Sequence, residues 1–183
     1  MLQPPPSVTL TLSDGTLVAS GSASHGWVAS SSARAVTIPG VLRFDATRLE
    51  DGGLAAIDPV RRRLEAAVLR FVIGAAELPR REQATLEQVV AALGELAAAA
   101  RETGIPVRVV VIGRTDATGS EATNVRLSRA RAEWVVSAVE SRGARGLTFV
   151  IQGVGASRSL RSEQSVTDRA FNRSVTFSVG IQP

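Results

Sequence analysis

Val107–Ile112 reads VRVVVI and lies between two long stretches whose apolar residues recur at helical spacing. That arrangement restricts the fold more than any other feature of the chain. Upstream, Thr85–Arg101 sets Leu86, Val89, Val90, Leu93, Leu96 and Ala97 on one helix face, with Ala and Glu filling the rest. Downstream, the stretch from Glu121 to Ser141 carries Val125, Leu127, Ala130, Trp134, Val135, Ala138 and Val139 as its apolar stripe. Thr103-Gly104 and Pro106 stop the first helix, and Gly143 ends the second. A strand this apolar is buried, and each helix has only one stripe with which to cover it. Val68–Ile73, Leu147–Gln152 and Phe171–Val179 read as further strands. The expected class is therefore α+β: a β-α-β-α-β-β mixed sheet with its helices on one face, over residues 66–180.

A smaller unit precedes it. Val8–Leu12 and Thr16–Ser20 alternate apolar and polar residues around Asp14-Gly15, a hairpin signal. A short helix is expected from Ser24 to about Ala35, then Pro39-Gly40, then a strand through Val41, Leu42 and Phe44. This ββαβ unit, residues 8–50, is small enough to be marginal alone. Asp51-Gly52-Gly53 and Asp58-Pro59 read as a break, so residues 51–65 are expected to be a linker with a short helix. Residues 1–7, with the Pro4–Pro6 run, read as the remnant of a linker.

All 21 basic residues are Arg, and the formal charge is +4. The first sixty residues hold three Arg against five acids; the remainder holds eighteen against twelve. A basic C-terminal part tolerates an anionic partner, but the arginines are scattered and not interleaved with aromatics, so no nucleic-acid role is expected. Cysteine is absent, which excludes disulfides and thiolate metal sites. No cofactor or metal is expected. His25 is the single histidine and cannot build a triad or a metal cluster. No apolar run is long enough to span a bilayer, and MLQPPPS lacks the pattern of a signal peptide. Any membrane anchor of the parent protein is expected to lie outside this chain.

The turn Gly113–Ser120 follows the buried strand, the place where ligands collect in open α/β arrangements. Its glycines let backbone amides face outward, and the next helix adds positive potential from its N-terminus. Asp116 in that turn favours an ammonium. Arg131, on the following helix, can offer a planar fork to a carboxylate, and Asn124 is an orienting donor. Together they fit a small zwitterion, to be gripped and not transformed. No second acid stands in a defined relation to Asp116, Ser128 has no base beside it, and no phosphate-binding glycine loop is present. An enzyme is not expected.

The run GRTDATGS, then Asn124, Leu127, Ser128, Arg131 and Ala132 at their spacing, then Gly153-Val154-Gly155 and Asn172-Arg173-Ser174-Val175, resembles the OmpA-like C-terminal domain. Porin tails, peptidoglycan-associated lipoproteins and flagellar stators share it. The resemblance implies a periplasmic module that binds peptidoglycan noncovalently through the diaminopimelate of its stem peptide and anchors a larger envelope protein. It implies Asp116 at the ligand amine, Arg131 at the carboxylate, backbone amides around Thr115 and Asp116 as support, and Asn124 and Arg173 in the same pocket. Arg114, Gly119, Leu127 and Asn172 would stand behind them. Three departures bear on the site. Arg114 stands where His or Asn is usual, adding positive charge. Gly74 stands where an acid often helps hold the amine, and Ser174 replaces a second Arg.

The N-terminal unit, with SDGTLVASGSAS and PGVLRF, is similar to a truncated BON domain, which implies contact with phospholipid or another envelope protein. The alternative for the whole chain is a degenerate domain that serves protein–protein assembly, for instance as a homodimer; the missing acid at Gly74 favours it. Alanine at Asp116 or Arg131 is expected to remove a ligand contact and spare the fold.

Overall fold

Asp14 and Gly15 both take positive φ, 48° and 74°, and reverse the chain in two residues. The strand β1 (Val8–Ser13) thereby pairs antiparallel with β2 (Thr16–Ala23). The computed structural model describes residues 2–181 and divides them into two units. The first runs up to Pro59 and includes Arg101–Ile105; the second holds Val60–Ala100 and the chain from Pro106 onward.

In the first unit, α1 (His25–Ala35) carries the chain from β2 to β3 (Arg43–Asp51), which lies parallel to β2 in a sheet of order β1-β2-β3. Leu17, Ala35 and Val41 are buried together, with Trp27, Ile38 and Phe44 packed on them. The expected third strand starts later than its apolar residues imply. Val41 points into the core, Leu42 is exposed, and the amides of Leu42 and Arg43 both donate to the Gly15 carbonyl. His25 Nδ1 lies 2.7 Å from Asp51 Oδ2.

The expected break at residues 51–59 is instead a helix, α2 (Gly52–Glu65), which continues through Pro59. Asp51 starts it: one carboxylate oxygen accepts from the amides of Gly53 and Leu54, both at 3.0 Å. A side-chain acceptor for two otherwise orphan amides is a strong initiation signal. Read as turn residues, Asp51-Gly52-Gly53 concealed that role.

In the second unit, β4 (Val68–Arg70), α3 (Gln83–Thr103), β5 (Val107–Gly113), α4 (Glu121–Ser141), β6 (Thr148–Gly153), α5 (Val166–Asn172) and β7 (Ser174–Ile181) follow in order. The sheet order is β4-β7-β5-β6. β7 runs antiparallel to both β4 and β5, and β6 runs parallel to β5. This is the expected mixed sheet with helices packed on one face. Val107, Val109 and Val111 of β5 and Val175, Phe177 and Val179 of β7 are buried, as are Leu86, Val89, Leu93 and Leu96 of α3.

Two elements depart from the expectation. β4 ends at Arg70, and the chain turns at Gly74, whose φ is +70°. Phe171, expected in the last strand, belongs to α5. That helix is opened by Ser165, whose hydroxyl accepts from the Asp168 amide at 3.0 Å. A capping serine outweighs the strand preference of the Val and Thr behind it.

Candidate functional site

Gly113 and Gly153 are register partners on β5 and β6, and neither has room for a side chain. A Cβ on Gly113 would stand 1.8 Å from the Ser128 carbonyl oxygen; one on Gly153 would stand 2.5 Å from the Arg129 amide nitrogen. Bare backbone at both positions lets α4 rest directly on the strand ends. Gly153 is thus a packing residue at the end of β6.

The first half of α4 buries polar side chains. Its inward residues are Asn124, Ser128 and Arg131, and only beyond them do Ala132, Val135, Val136, Ala138 and Val139 take over. The expected apolar stripe is displaced accordingly: Val125 is 41% exposed and Trp134 is half-buried. Ser128 Oγ accepts from the Gly155 amide and donates to the Val125 carbonyl, both at 2.9 Å.

Arg131 is fully buried. Its Nε donates to the Ala75 carbonyl at 2.8 Å, Nη1 to that of Arg114 at 2.8 Å and Nη2 to that of Val72 at 3.1 Å. The guanidinium carbon stands 5.3 Å from the Phe71 ring centroid. The sequence implied a free fork; the fork is in fact committed to three main-chain carbonyls. A guanidinium has five N–H groups, so two remain, one on each terminal nitrogen. Burial chiefly, then the like charge of Arg173, pull the Arg131 pKa down to about 10, with Asp116 acting the other way. The group stays protonated at neutral pH.

Above Arg131 lies a narrow cleft of ≈ 170 Å³, with room for one amino-acid head group. Thr115, Asp116, Asn124, Leu127 and Arg173 line it together with Arg131, so the structure brings these sequence-derived residues to one place. Asp116 Oδ2 accepts from Arg173 Nη1 at 2.8 Å, and Oδ1 accepts from the Thr118 amide at 3.2 Å. The two side chains of that ion pair are only 11% and 12% exposed. The Thr115 amide is already given to the Gly155 carbonyl at 3.0 Å, so it is not the ligand donor that the resemblance implied. The Thr115 hydroxyl is the free group: it is buried and has no hydrogen-bond partner. Glu163 and Ser174 also hold partnerless buried oxygens, but neither residue lines the cleft.

Three expected supporting residues stand elsewhere. Arg114 turns its charge away: Nε donates to the Arg158 carbonyl at 2.7 Å and Nη1 to Thr176 Oγ1 at 2.5 Å. Burial, and after it the charge of Arg158, lower its pKa. Its contribution to the cleft is its carbonyl, which holds Arg131. Asn172 is fully buried and pins the preceding loop, accepting from the amides of Leu160 and Arg161 at 2.9 Å each. Gly119 lines a neighbouring, larger hollow of ≈ 520 Å³ with Glu121, Val125 and Gly153–Arg158; Asn124 is the wall common to both. Volume alone would favour the larger hollow, yet the charged pair, Arg131 and Thr115 line the smaller one.

Ile73, Thr118 and Thr123 also line the cleft and were not anticipated. A usable signal was present: Asn124, Ser128 and Arg131 continue the inward spacing of Val135 toward the helix start, so polar side chains occupy core positions there.

A sequence model of the OmpA family matches residues 70–173. The chain belongs to the OmpA family. The chain aligns with the probable lipoprotein YiaD of Escherichia coli, 37% identical over 71 residues, which is 39% of this chain and 32% of that protein. It aligns likewise with the peptidoglycan-binding protein ArfA of Mycobacterium tuberculosis, 38% identical over 72 residues, 39% of this chain and 22% of that protein. The match therefore spans a third or less of these relatives. Among solved structures, the peptidoglycan-associated lipoprotein of Burkholderia pseudomallei superposes with a TM-score of 0.53 at 19% identity, over 62% of this chain and 90% of that one. A putative MotB-like protein of Desulfovibrio vulgaris gives 0.50 at 20% identity, over 72% and 95%. At such identities the likeness is one of fold. Among the described residues no cluster of His and acids could hold a metal, and no helix is long and apolar enough to cross a membrane.

Proposed function

We propose that the chain binds peptidoglycan noncovalently through the diaminopimelate of its stem peptide and anchors a larger envelope protein to the wall from the periplasm. The observation that carries this reading is the cleft itself. Asp116, Arg173, Arg131 and the partnerless Thr115 hydroxyl surround a space the size of one amino-acid head group. A carboxylate placed there meets two guanidinium groups and a hydroxyl donor, and Asp116 is the acid nearest an amine. Charge-assisted contacts of this kind are strong when little water shares them. Membership in the OmpA family and the similarity to the peptidoglycan-binding protein ArfA support peptidoglycan as the ligand.

The N-terminal unit lies outside the family match. Its ββαβ order is what supports the BON-like reading, as a contact module for lipid or another envelope protein. Flotation with phospholipid vesicles tests that part separately; no co-flotation removes the lipid arm.

The direct test of wall binding is co-sedimentation with insoluble diaminopimelate-type peptidoglycan, with Thr115→Val and Arg173→Gln alongside. Thr115→Val removes only an unpaired hydroxyl, so the fold stays intact. Wild type pellets and free diaminopimelate releases it, while both variants pellet less. If wild type stays in solution at low and at physiological salt, the reading is wrong and the assembly alternative takes its place.

A further inference from the structure

The charges around the cleft do not balance as a zwitterion requires. Its lining holds two guanidinium groups, Arg131 and Arg173, against one carboxylate, Asp116. That carboxylate is already engaged at both oxygens, by Arg173 and by the Thr118 amide. An ammonium entering the cleft therefore gains one shared acid and meets two positive charges. A carboxylate meets two positive charges.

The rim adds a second, independent observation. Gly74 lines the cleft, and a Cβ built on it would meet nothing within 4 Å. Beside it Ile73 is 79% exposed. At these two residues the cleft is open, and neither carries a polar side chain. A group attached to the ligand amine could leave over Gly74 without displacing protein atoms.

We propose that the cleft reads the carboxylate of its ligand and not the amine, so that it accepts a diaminopimelate residue whose side-chain amine is acylated, as in a cross-link between two stem peptides. The proposal rests on the diaminopimelate reading given above and defines which chemical form of that ligand is taken. A wall anchor of this kind is not restricted to peptides with a free amine, so the density of its sites does not fall as the wall becomes cross-linked.

Calorimetry on the full chain tests this with three synthetic stem tripeptides ending in diaminopimelate: one unmodified, one acetylated on the side-chain amine, and one with the side-chain carboxylate converted to a carboxamide. The first two should bind within about threefold of each other, and the carboxamide at least about thirtyfold more weakly. If acetylation weakens binding by about tenfold or more while the unmodified peptide binds, the proposal is overturned and the wall-binding reading stands. If none of the three binds, both are overturned.

Gly74→Asp supplies the converse test. Aspartate tolerates the positive φ of this position better than most residues, and it places an acid at the open rim. This variant should bind the acetylated peptide about tenfold more weakly than the unmodified one. Gly74→Asn, with the same backbone demand and no charge, should not discriminate. Equal affinity of Gly74→Asp for both peptides would place the amine elsewhere and overturn the proposal.

Discussion

At the level of single residues, Arg131 and Thr115 make opposite predictions although both face one cleft. Arg131 holds three carbonyls that lie 56, 17 and 59 positions away in the chain. Arg131→Met would strand them in a buried site and should cost about 3–5 kcal/mol, read as a lowered Tm. An alanine variant at this position should likewise lower Tm, where the sequence led us to expect a neutral effect on the fold. Thr115→Val should leave Tm unchanged or slightly raised, because a buried hydroxyl with no partner is lost. A large drop in Tm for Thr115→Val would mean that its hydroxyl serves the fold. The spacing of Asp116 and Arg131 was legible in the sequence. What Arg131 holds was not, because carbonyls carry no residue identity and come from segments distant in the chain. The pH dependence follows from the same burial. With Arg131 lowered to about 10, the unfolded chain binds this proton more tightly, so its contribution to stability rises as pH climbs from about 10 toward the ordinary value. Below that window the group is charged in both states and contributes no slope. Capture of a carboxylate should move the other way. Affinity for the amine-acetylated peptide, which has no titrating amine of its own, should be level from about pH 7 to 9 and fall near pH 10.

Among the elements, α4 is the one that makes the site, and its bounds were readable: the sequence places it from Glu121 to Ser141, where the structure has it. Ser120 caps it through the Thr123 amide, and Glu121 suits its first turn. Its depth on the sheet was not readable, because that depends on Gly113 and Gly153 being adjacent across two strands that are distant in sequence. Gly153→Ala drives a methyl into the backbone of Arg129. It should cost about 2–4 kcal/mol and weaken peptide binding as well, since Arg131 moves with the helix. Retention of both the melting point and the affinity would show that α4 can shift without disturbing the cleft. β4 was read as longer than it is for a related reason. Val72 and Ala75 give their carbonyls to Arg131, so the chain leaves the sheet after Arg70, although Phe71 still donates its amide to the Arg173 carbonyl at 2.7 Å.

Over the whole molecule, charge and site act at different ranges. Eighteen of the arginines follow residue 60, where twelve acids oppose them, whereas the first sixty residues are net acidic. A polyanionic wall should therefore attract the C-terminal part without any specific contact, and that attraction is screened over about 10 Å at 0.1 M salt and about 3 Å at 1 M. The Asp116–Arg173 pair and Arg131 are buried, so contacts made inside the cleft are screened far less. Sedimentation with wall fragments should accordingly show two components. One falls steeply as sodium chloride is raised and ignores added diaminopimelate. The other persists at high salt and is released by diaminopimelate, and Thr115→Val weakens it while leaving the first in place. If the diaminopimelate-sensitive component disappears with salt as fast as the other, retention is ion exchange on surface arginines. In that case the cleft, for all its composition, does not hold the wall.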